Sequence, residues 1–530
     1  MVVTARLRHG TAGLAMEGAL FWIVRPEVGF GTARGLNFGR RVAYARWWRA
    51  ASRSPASVRA LVALLVLSLL APATAGAEPQ KLDWETGEGK SYAIPALEVS
   101  GFIFGLNQFN RHVIDSKEYG SDFKSIGDNL THPLVIDRDP FSVNQLGHPY
   151  QGNIYFGFAR SAGLDFWRSL AYTLGGSLLW ETAGETTPPS LNDHINTAVG
   201  GAFIGEAAFR MASLLLEGGG EKPGFWRELG AAILSPPTGF NRLVFGDRFD
   251  KVFPSRNPEV FIRLRLGATL TNEVNNDINK NVKRQEGAAD YSITYGLPGK
   301  PGYEYKRPFD YFHFEFTAVP NAGEITDAIE NVSIRGLLGG RRYTLGENFR
   351  GVWGVFGNYD YFSPQIFRVS ATAVSMGTVF QWWLSRHVAM QGTALGGLGL
   401  GAAGTVGDRA EREYHYGLTP LTLLGLRLIF GDRAMLEATG RQYYVAGTSS
   451  NRETGVDTSH FSQDVILRGS VGVTVRLWGP HALGVQYLVT SRHFGAPDLR
   501  DRHQSVQTVT LSYNFLGHTR FGAVEWRPDQ

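Results

Sequence analysis

The polar residues that could carry out chemistry lie close together in an otherwise apolar stretch of the first half of the chain. Glu181 and Glu185 are four residues apart, so a helix would place both carboxylates on one face. Together with Asp193 and His148 they could bind a divalent metal ion or perform acid–base hydrolysis. Ser190 is a further candidate as a nucleophile, although it lacks the G-x-S-x-G context of hydrolase serines.

Structural roles are the alternative for many of these polar residues. Ser190 and Asp193 have the spacing of a helix cap that resembles a capping box. Glu206 and Arg210 are four residues apart in the favourable acid-first order and are expected to form an ion pair. The other candidates for structural or binding roles are Arg160, Asn192 and Asn241.

The two glutamates could also be neutralised by arginines rather than used in catalysis. The possible partners of Glu181 and Glu185 are Arg160, Arg168, Arg263 and Arg265. His148 precedes a proline and is more typical of a loop residue than of a ligand. The sequence contains no HExxH, Walker, dinucleotide-binding or EF-hand motif. We therefore predict no cofactor, leave the question of a metal open, and lean against an enzyme.

Helices are expected to position these residues. Apolar residues recur at i, i+3 and i+4 spacing in 164–180 and 191–216, and a third short helix is expected at 223–234. We predict a helical domain over 137–254 with three to five helices. The helices contain many glycines, which would allow them to pack closely against one another or against a neighbouring wall.

Three segments of this region resemble a known family. They read HPYQGNIYFGFARSAG (148–163), SLLWETAGETTPPSLNDHINTAVGGAFIGEAAFR (177–210) and SPPTGFNRLVFGD (235–247). Over roughly 130–255 the chain resembles uncharacterised bacterial outer-membrane proteins that carry the domain of unknown function numbered 3943. The resemblance implies an envelope protein, and it brings no established activity or catalytic residues.

The second half of the chain has a different pattern. Apolar and polar residues alternate strictly in 260–270, 312–318 and 465–477, as expected when one strand face meets lipid and the other a lumen. About ten or eleven such strands follow residue 258, and 96–108 could supply another. Because bacterial barrels usually have an even number of strands, we predict about twelve. A soluble β-sandwich or lipocalin-like barrel is the alternative.

The predicted fold class is mainly β with an α insert: a transmembrane antiparallel β-barrel with the helical segment packed in or against it. The 65 glycines, 12% aromatic residues and absence of cysteine fit this class and exclude a disulfide framework. The predicted domains are a linker with the first barrel strand (78–136), the helical domain, and the barrel (255–530). Two segments, 271–307 and 447–459, are expected to be loops.

The N-terminal segment is typical of an exported protein. Residues 58–77 combine a basic residue, an apolar run and a small-residue cleavage site, which predicts a signal peptide cleaved after Ala77. Residues 1–57 would be either a non-native segment, with translation starting at Val58, or a long extension. This leader holds ten arginines and two glutamates. The basic charge therefore belongs to the leader, and we predict no nucleic-acid partner.

These patterns predict a protein of the bacterial cell outer membrane. The expected partners are outer-membrane lipid and, during biogenesis, the barrel-assembly machinery, while a small-molecule substrate stays unassigned. We expect a role in transport or envelope integrity, with the helices as a plug-like segment. The alternative is a lipid- or cell-wall-active hydrolase that uses the carboxylate cluster.

Overall fold

The computed structural model describes residues 80–137, 139–275, 280–320, 328–364, 366–406, 414–447, 462–495, 501–517 and 520–526. The predicted N-terminal extension and signal peptide lie outside the described residues, as does nearly all of the predicted loop 447–459.

Twelve antiparallel strands close into a barrel, in which each strand pairs with its sequence neighbours and β1 pairs with β12. The prediction of a barrel of about twelve strands is confirmed. The strands are β1 (Val260–Asn275), β2 (Lys280–Tyr295), β3 (Phe312–Ala318), β4 (Ile329–Leu345), β5 (Phe349–Phe362), β6 (Phe367–Ser385), β7 (Val388–Thr405), β8 (Tyr414–Phe430), β9 (Ala434–Gly447), β10 (Ser462–Trp478), β11 (His481–Gly495) and β12 (Arg502–Leu516).

The alternation of side chains explains why these strands form a membrane wall. On β10, Val471, Val473 and Val475 point outward and are exposed, whereas Arg468 and Thr474 point into the lumen. Closure gives every strand a hydrogen-bonded neighbour on both sides, which a lipid-exposed sheet requires. The outward apolar face and the polar interior are those of a membrane-spanning barrel.

The two rims of the barrel differ in the length of their connections. At one rim, two to three residues join β4 to β5, β6 to β7, β8 to β9 and β10 to β11. We call this the short-turn rim; β1 begins there and β12 ends there. The opposite, long-loop rim carries the connections of 8 to 14 residues that precede β4, β8 and β10. The short-turn rim also carries one longer connection, the 16 residues 296–311 between β2 and β3.

Two predictions about β-structure were wrong. The segment 96–108, expected to be a barrel strand, lies inside a helix, and all twelve strands fall within 260–516. The segment 271–307, expected to be a loop, includes the end of β1 and the whole of β2. Its polar residues belong to the part of the β1–β2 hairpin near the long-loop rim, where an apolar outer face is not needed.

Seven helices precede the barrel in the part of the chain that the structure describes, five of them within 137–254. They are α1 (Ala93–Val113), α2 (Phe123–Thr131), α3 (His148–Ser161), α4 (Phe166–Leu179), α5 (Leu191–Glu217), α6 (Phe225–Leu234) and α7 (Pro236–Phe245). A π-helical turn precedes α3 (Val143–Gly147), another extends α4 (Trp180–Gly184), and a third interrupts α5 (Ile195–Gly200). Short 3₁₀ turns lie at Gly246–Arg248 and Phe521–Ala523.

The helices pack on the outer face of the barrel wall and not in the lumen. On β8, Tyr414 and Tyr416 are buried by the helical region, yet they share a strand face with Leu418 and Leu424, which are 55% and 64% exposed. Because side chains alternate along a strand, that face is the outward one. The plug-like arrangement expected from the sequence is therefore wrong for these helices.

Helix α5 runs along the full height of this outer face. Near its start, Asn192 contacts Tyr416 at the long-loop rim, and near its end Arg210 contacts Asp310, in the β2–β3 connection at the short-turn rim. The intervening 18 residues of helix rise about 27 Å, close to the thickness of a bilayer's hydrocarbon core. Among the described residues, α5 is the one helix long and apolar enough to cross a membrane, and most of it is buried.

Close helix packing holds this helical layer together. A Cβ atom on Gly201 would lie 2.6 Å from backbone carbons of Gly152, so α3 and α5 approach backbone to backbone. The ring of Phe203 in α5 packs directly on the backbone of the outward Gly357 of β5. The glycines noted in the sequence therefore mark contacts between helices, and between helices and wall.

Candidate functional site

Three of the predicted residues, Glu181, Asp193 and His148, are brought together at the end of the helical layer nearest the long-loop rim. All three side chains are buried. Each lies in or next to one of the three π-helical turns, a rare conformation that occurs often at functional sites. The site is thus built where three helices each depart from regular α-helical geometry.

His148 lies between two residues of α5. Its Nε2 is 3.9 Å from Asp193 Oδ1, and its Nδ1 is 3.2 Å from the hydroxyl oxygen of Thr197. A histidine held between a carboxylate and a hydroxyl can accept a proton while the carboxylate orients the ring. The expectation of a loop histidine was wrong, because His148 is the first residue of α3 and Pro149 occupies a position that helices tolerate.

Glu181 and Glu185 are held by hydrogen bonds and have no arginine partner in the part of the chain that the structure describes. Glu181 accepts from the Ser190 backbone N–H at 2.8 Å, and Glu185 accepts from Trp180 Nε1 at 2.7 Å. Burial and the neighbouring Asp193 and Glu185 carboxylates raise the pKa of Glu181 to about 9. Burial raises the pKa of Glu185 to about 7. Both groups can therefore hold a proton near neutral pH.

The arginines considered as partners are all engaged elsewhere. Arg160 pairs with Glu206, Arg168 pairs with Asp165, and the barrel arginines Arg263 and Arg265 pair with luminal carboxylates. The wall of the barrel separates the last two from the site. The carboxylates of this site thus lack the cationic partners that a scaffolding role would supply.

Ser190 and Asn192 support the site instead of acting in it. The Ser190 hydroxyl accepts from the Asp193 backbone N–H and donates to Asn192 Oδ1, so it caps α5 as the sequence predicted. Asn192 Nδ2 in turn donates to Asp193 Oδ1 at 3.0 Å. These bonds fix the Asp193 carboxylate beside His148.

Two barrel tyrosines complete the site, and sequence reasoning missed both. The Tyr416 hydroxyl accepts from Asn192 and from Gln145, and the Tyr414 hydroxyl accepts from Asn144 at 3.0 Å. The sequence offered only a weak signal for them, namely two aromatic residues on the outward face at the start of a strand. An aromatic belt at the membrane interface would explain the same pattern.

The other predicted residues lie far from this site, toward the short-turn rim. Glu206 accepts from Arg160 and from Arg210, each at 2.7 Å, so the expected Glu206–Arg210 pair forms within a larger network. Asn241 Nδ2 donates to the Ser161 hydroxyl and joins α7 to α3. Within the described residues, no group of three or more histidine, aspartate or glutamate side chains has an arrangement that could hold a metal ion.

The fold assigns the chain to a class. A closed antiparallel barrel with an apolar outer wall is the architecture of bacterial outer-membrane proteins. Residues 133–237, which include His148, Glu181 and Asp193, match the model of the family described as domain of unknown function (DUF3943).

The barrel half also aligns with solved outer-membrane structures. An outer membrane channel from Pseudomonas putida F1 is 11% identical, with 50% of this chain and 100% of that chain covered and a TM-score of 0.26. The translocator domain of the autotransporter NalP from Neisseria meningitidis is 14% identical, with 48% and 88% covered and a TM-score of 0.20. No curated protein matches the chain.

Proposed function

We propose that the protein acts on a lipid of the outer membrane through the acid–base site of its helical layer, and that it is not an open channel. The observation that carries this proposal is the position of the site on the lipid side of the barrel wall, against the outward face of β8. The proposal favours the hydrolase hypothesis over the transport hypothesis raised by the sequence.

The filled lumen argues against an open channel. Arg441 of β9 pairs with Glu315 of β3 at 2.8 Å, and Arg468 of β10 donates to Asn331 of β4 at 2.8 Å. In a twelve-stranded barrel these strands lie opposite each other, so the side chains bridge the whole lumen. An ion pair buried in this way resists displacement by a passing solute.

The surface of the helical layer supports a lipid environment. Large apolar side chains face away from the barrel on the two outer helices, including Phe104 of α1 and Trp167, Leu174 and Leu178 of α4. An exposed apolar face of this extent marks an interaction surface. Since α5 runs the height of the lipid-facing wall, the same bilayer would cover the helices beside it.

The position of the site along the barrel axis supports its location in the outer leaflet of the membrane. In bacterial barrels the short turns are periplasmic and the long loops are extracellular. The site lies beside Tyr414 and Tyr416, at the start of β8 on the long-loop rim. Its carboxylates would therefore meet lipid headgroups of the outer leaflet.

The chemistry that the site supports is hydrolysis of an ester or phosphoester bond. His148, whose pKa burial lowers, would take a proton from a water molecule as the water oxygen attacks, with the Asp193 carboxyl 3.9 Å from its Nε2. Glu185, whose pKa burial raises to about 7, would give its proton to the leaving oxygen. The products are an acid and an alcohol, so no further reactant is needed.

The test is lipid analysis by mass spectrometry after the protein is incubated in vesicles of phospholipid and lipopolysaccharide. We expect a new lipid cleavage product with the unaltered protein and its loss in Glu185→Gln and His148→Asn. Glu221→Gln, which alters an exposed glutamate outside the site, is the matched control and should keep the activity. Unchanged lipids together with ion conductance in planar bilayers would overturn the proposal in favour of transport.

A further inference from the structure

We propose that the lumen of the barrel holds a binding site for one small oxyanion, such as phosphate or a carboxylate. The site is a cavity in the middle of the lumen, separated by the wall from the helical layer. Six arginines line it, against two carboxylates, so cations are in excess. They are Arg263, Arg265, Arg335, Arg427, Arg441 and Arg468.

Four of the arginines are neutralised by the protein itself. Glu437 pairs with both Arg263 and Arg427, and Asp290 pairs with Arg265 at 2.7 Å. Arg441 takes the two remaining carboxylates, those of Glu315 and Asp360, at 2.8 and 3.4 Å. Four carboxylates are thus matched to four guanidinium groups.

Arg335 and Arg468 form no ion pair with any residue that the structure describes. Arg335 donates to the Ser333 hydroxyl at 3.0 Å, and Arg468 donates to the amide oxygen of Asn331 at 2.8 Å. Arg335 is only 7% exposed, and its Nε has no acceptor. Asp360 and Glu315 act on Arg335, and Glu315 and Glu330 act on Arg468, without forming a direct ion pair with them. A buried guanidinium without a direct ion pair is costly, so a mobile anion would be stabilised here.

The lining of the cavity suits an oxyanion in particular. The planar guanidinium group donates two parallel hydrogen bonds that match the oxygen spacing of phosphate and carboxylate. Thr439, Ser470 and Ser512 add hydroxyl groups to the same cavity. Neighbouring cavities share its walls: one contains His313 and Arg427, and the other contains Glu315 and Arg468.

The experiment measures thermal unfolding of the detergent-solubilised protein in inorganic phosphate, in acetate and in chloride at equal ionic strength. We expect phosphate to raise Tm by several degrees over chloride, with acetate showing whether a carboxylate alone is sufficient. Arg335→Gln and Arg468→Gln should each weaken the phosphate response at least tenfold in concentration. Arg350→Gln, which alters an arginine that does not line this cavity, should leave it unchanged.

A second variant separates binding from folding. Thr439→Asp would place a fixed carboxylate in the cavity, so this variant should be as stable in chloride as the unaltered protein is in phosphate, and insensitive to phosphate. An equal response to phosphate in the unaltered protein, Arg335→Gln and Thr439→Asp would overturn the proposal. So would the absence of any response in the unaltered protein.

Discussion

Asn192 and Tyr416 join the helical layer to the outer face of the barrel. Asn192 Nδ2 donates to the Tyr416 hydroxyl oxygen at 2.9 Å, although the two residues are 224 positions apart in the chain. Gln145 donates to the same oxygen at 2.6 Å. One barrel hydroxyl therefore fixes α5 and the π-helical turn before α3, the two segments that flank His148 and Asp193.

Removing this hydroxyl should loosen the site without unfolding the barrel. Tyr416→Phe removes the acceptor of the buried Gln145 amide and one of the two acceptors of Asn192 Nδ2, which keeps its bond to Asp193. The loss costs about 1–3 kcal/mol. We expect faster amide hydrogen exchange in 143–148 and 191–197, measured by mass spectrometry. Tyr487→Phe, on the exposed outward face of β11, is the control and should change nothing. Unaltered exchange in Tyr416→Phe would mean that the contact does not anchor the layer.

The buried glutamates predict a pH-dependent stability. The folded pKa of Glu181 is raised from 4.5 to about 9, so the folded protein retains a proton that the unfolded chain releases. The contribution of this group to stability should therefore be largest below about pH 4.5 and fall as the pH rises toward 9.

The measurement is Tm in detergent across that pH range. Glu181→Gln cannot ionise, so its Tm should decline less steeply with rising pH and exceed that of the unaltered protein at pH 9. Glu185→Gln should flatten the curve only between about pH 4.5 and 7, because its pKa is raised to about 7. Parallel curves for all three proteins would show that neither carboxyl is buried as described.

The ionic network at the other end of the layer should be essential for folding. Glu206 accepts from Arg160 and Arg210, and all three side chains are buried. Glu206→Ala would leave two buried arginines short of a counter-charge, at a cost of about 3–5 kcal/mol. Arg168→Ala breaks the exposed pair with Asp165 and should cost less than about 1 kcal/mol. Denaturant titration of both variants compares them directly, and similar midpoints would contradict this ranking.

The close contact between α3 and α5 should make a larger residue at Gly201 destabilising. Gly201→Ala would place a methyl group 2.6 Å from the Gly152 backbone and force α3 and α5 apart, whereas Gly175→Ala would meet no atom within 4 Å. We expect Gly201→Ala to lower the unfolding free energy by about 1–3 kcal/mol. Gly175→Ala should be neutral or slightly stabilising, since alanine favours helix. Equal Tm values for the two variants would argue against backbone contact at Gly152.

The sequence predicted the barrel well because the apolar period of two persists through long strands such as β10. The prediction failed at 96–108 because the apolar residues of that segment fit both the repeat of a helix and the alternation of a strand. Val99, Ile103 and Asn107 recur every four residues and form the buried face of α1, while the intervening apolar residues imitate a strand. A short apolar run cannot be assigned by periodicity alone.

The candidate site was predictable in part. Residues within one helix or its cap, such as Ser190 with Asp193 and Glu206 with Arg210, are related by local spacing, so their contacts follow from the sequence. The contact of Asn192 with Tyr416 depends on which face of the wall the helices cover. Spacing carries no information on the covered face, so the sequence left the helices either in or against the barrel, and the plug-like role expected for them was wrong.

The most direct test of the central claim is the environment of α4, because the account requires the helical layer to lie on the lipid side of a closed wall. The chain has no cysteine, so Leu174→Cys provides a single site for a nitroxide label in the membrane-reconstituted protein. Spin relaxation should show high oxygen and low nickel-complex accessibility at Leu174→Cys, as at Val473→Cys on the outward face of β10. Nickel accessibility at Leu174→Cys as high as at the exposed Lys222→Cys would contradict the account.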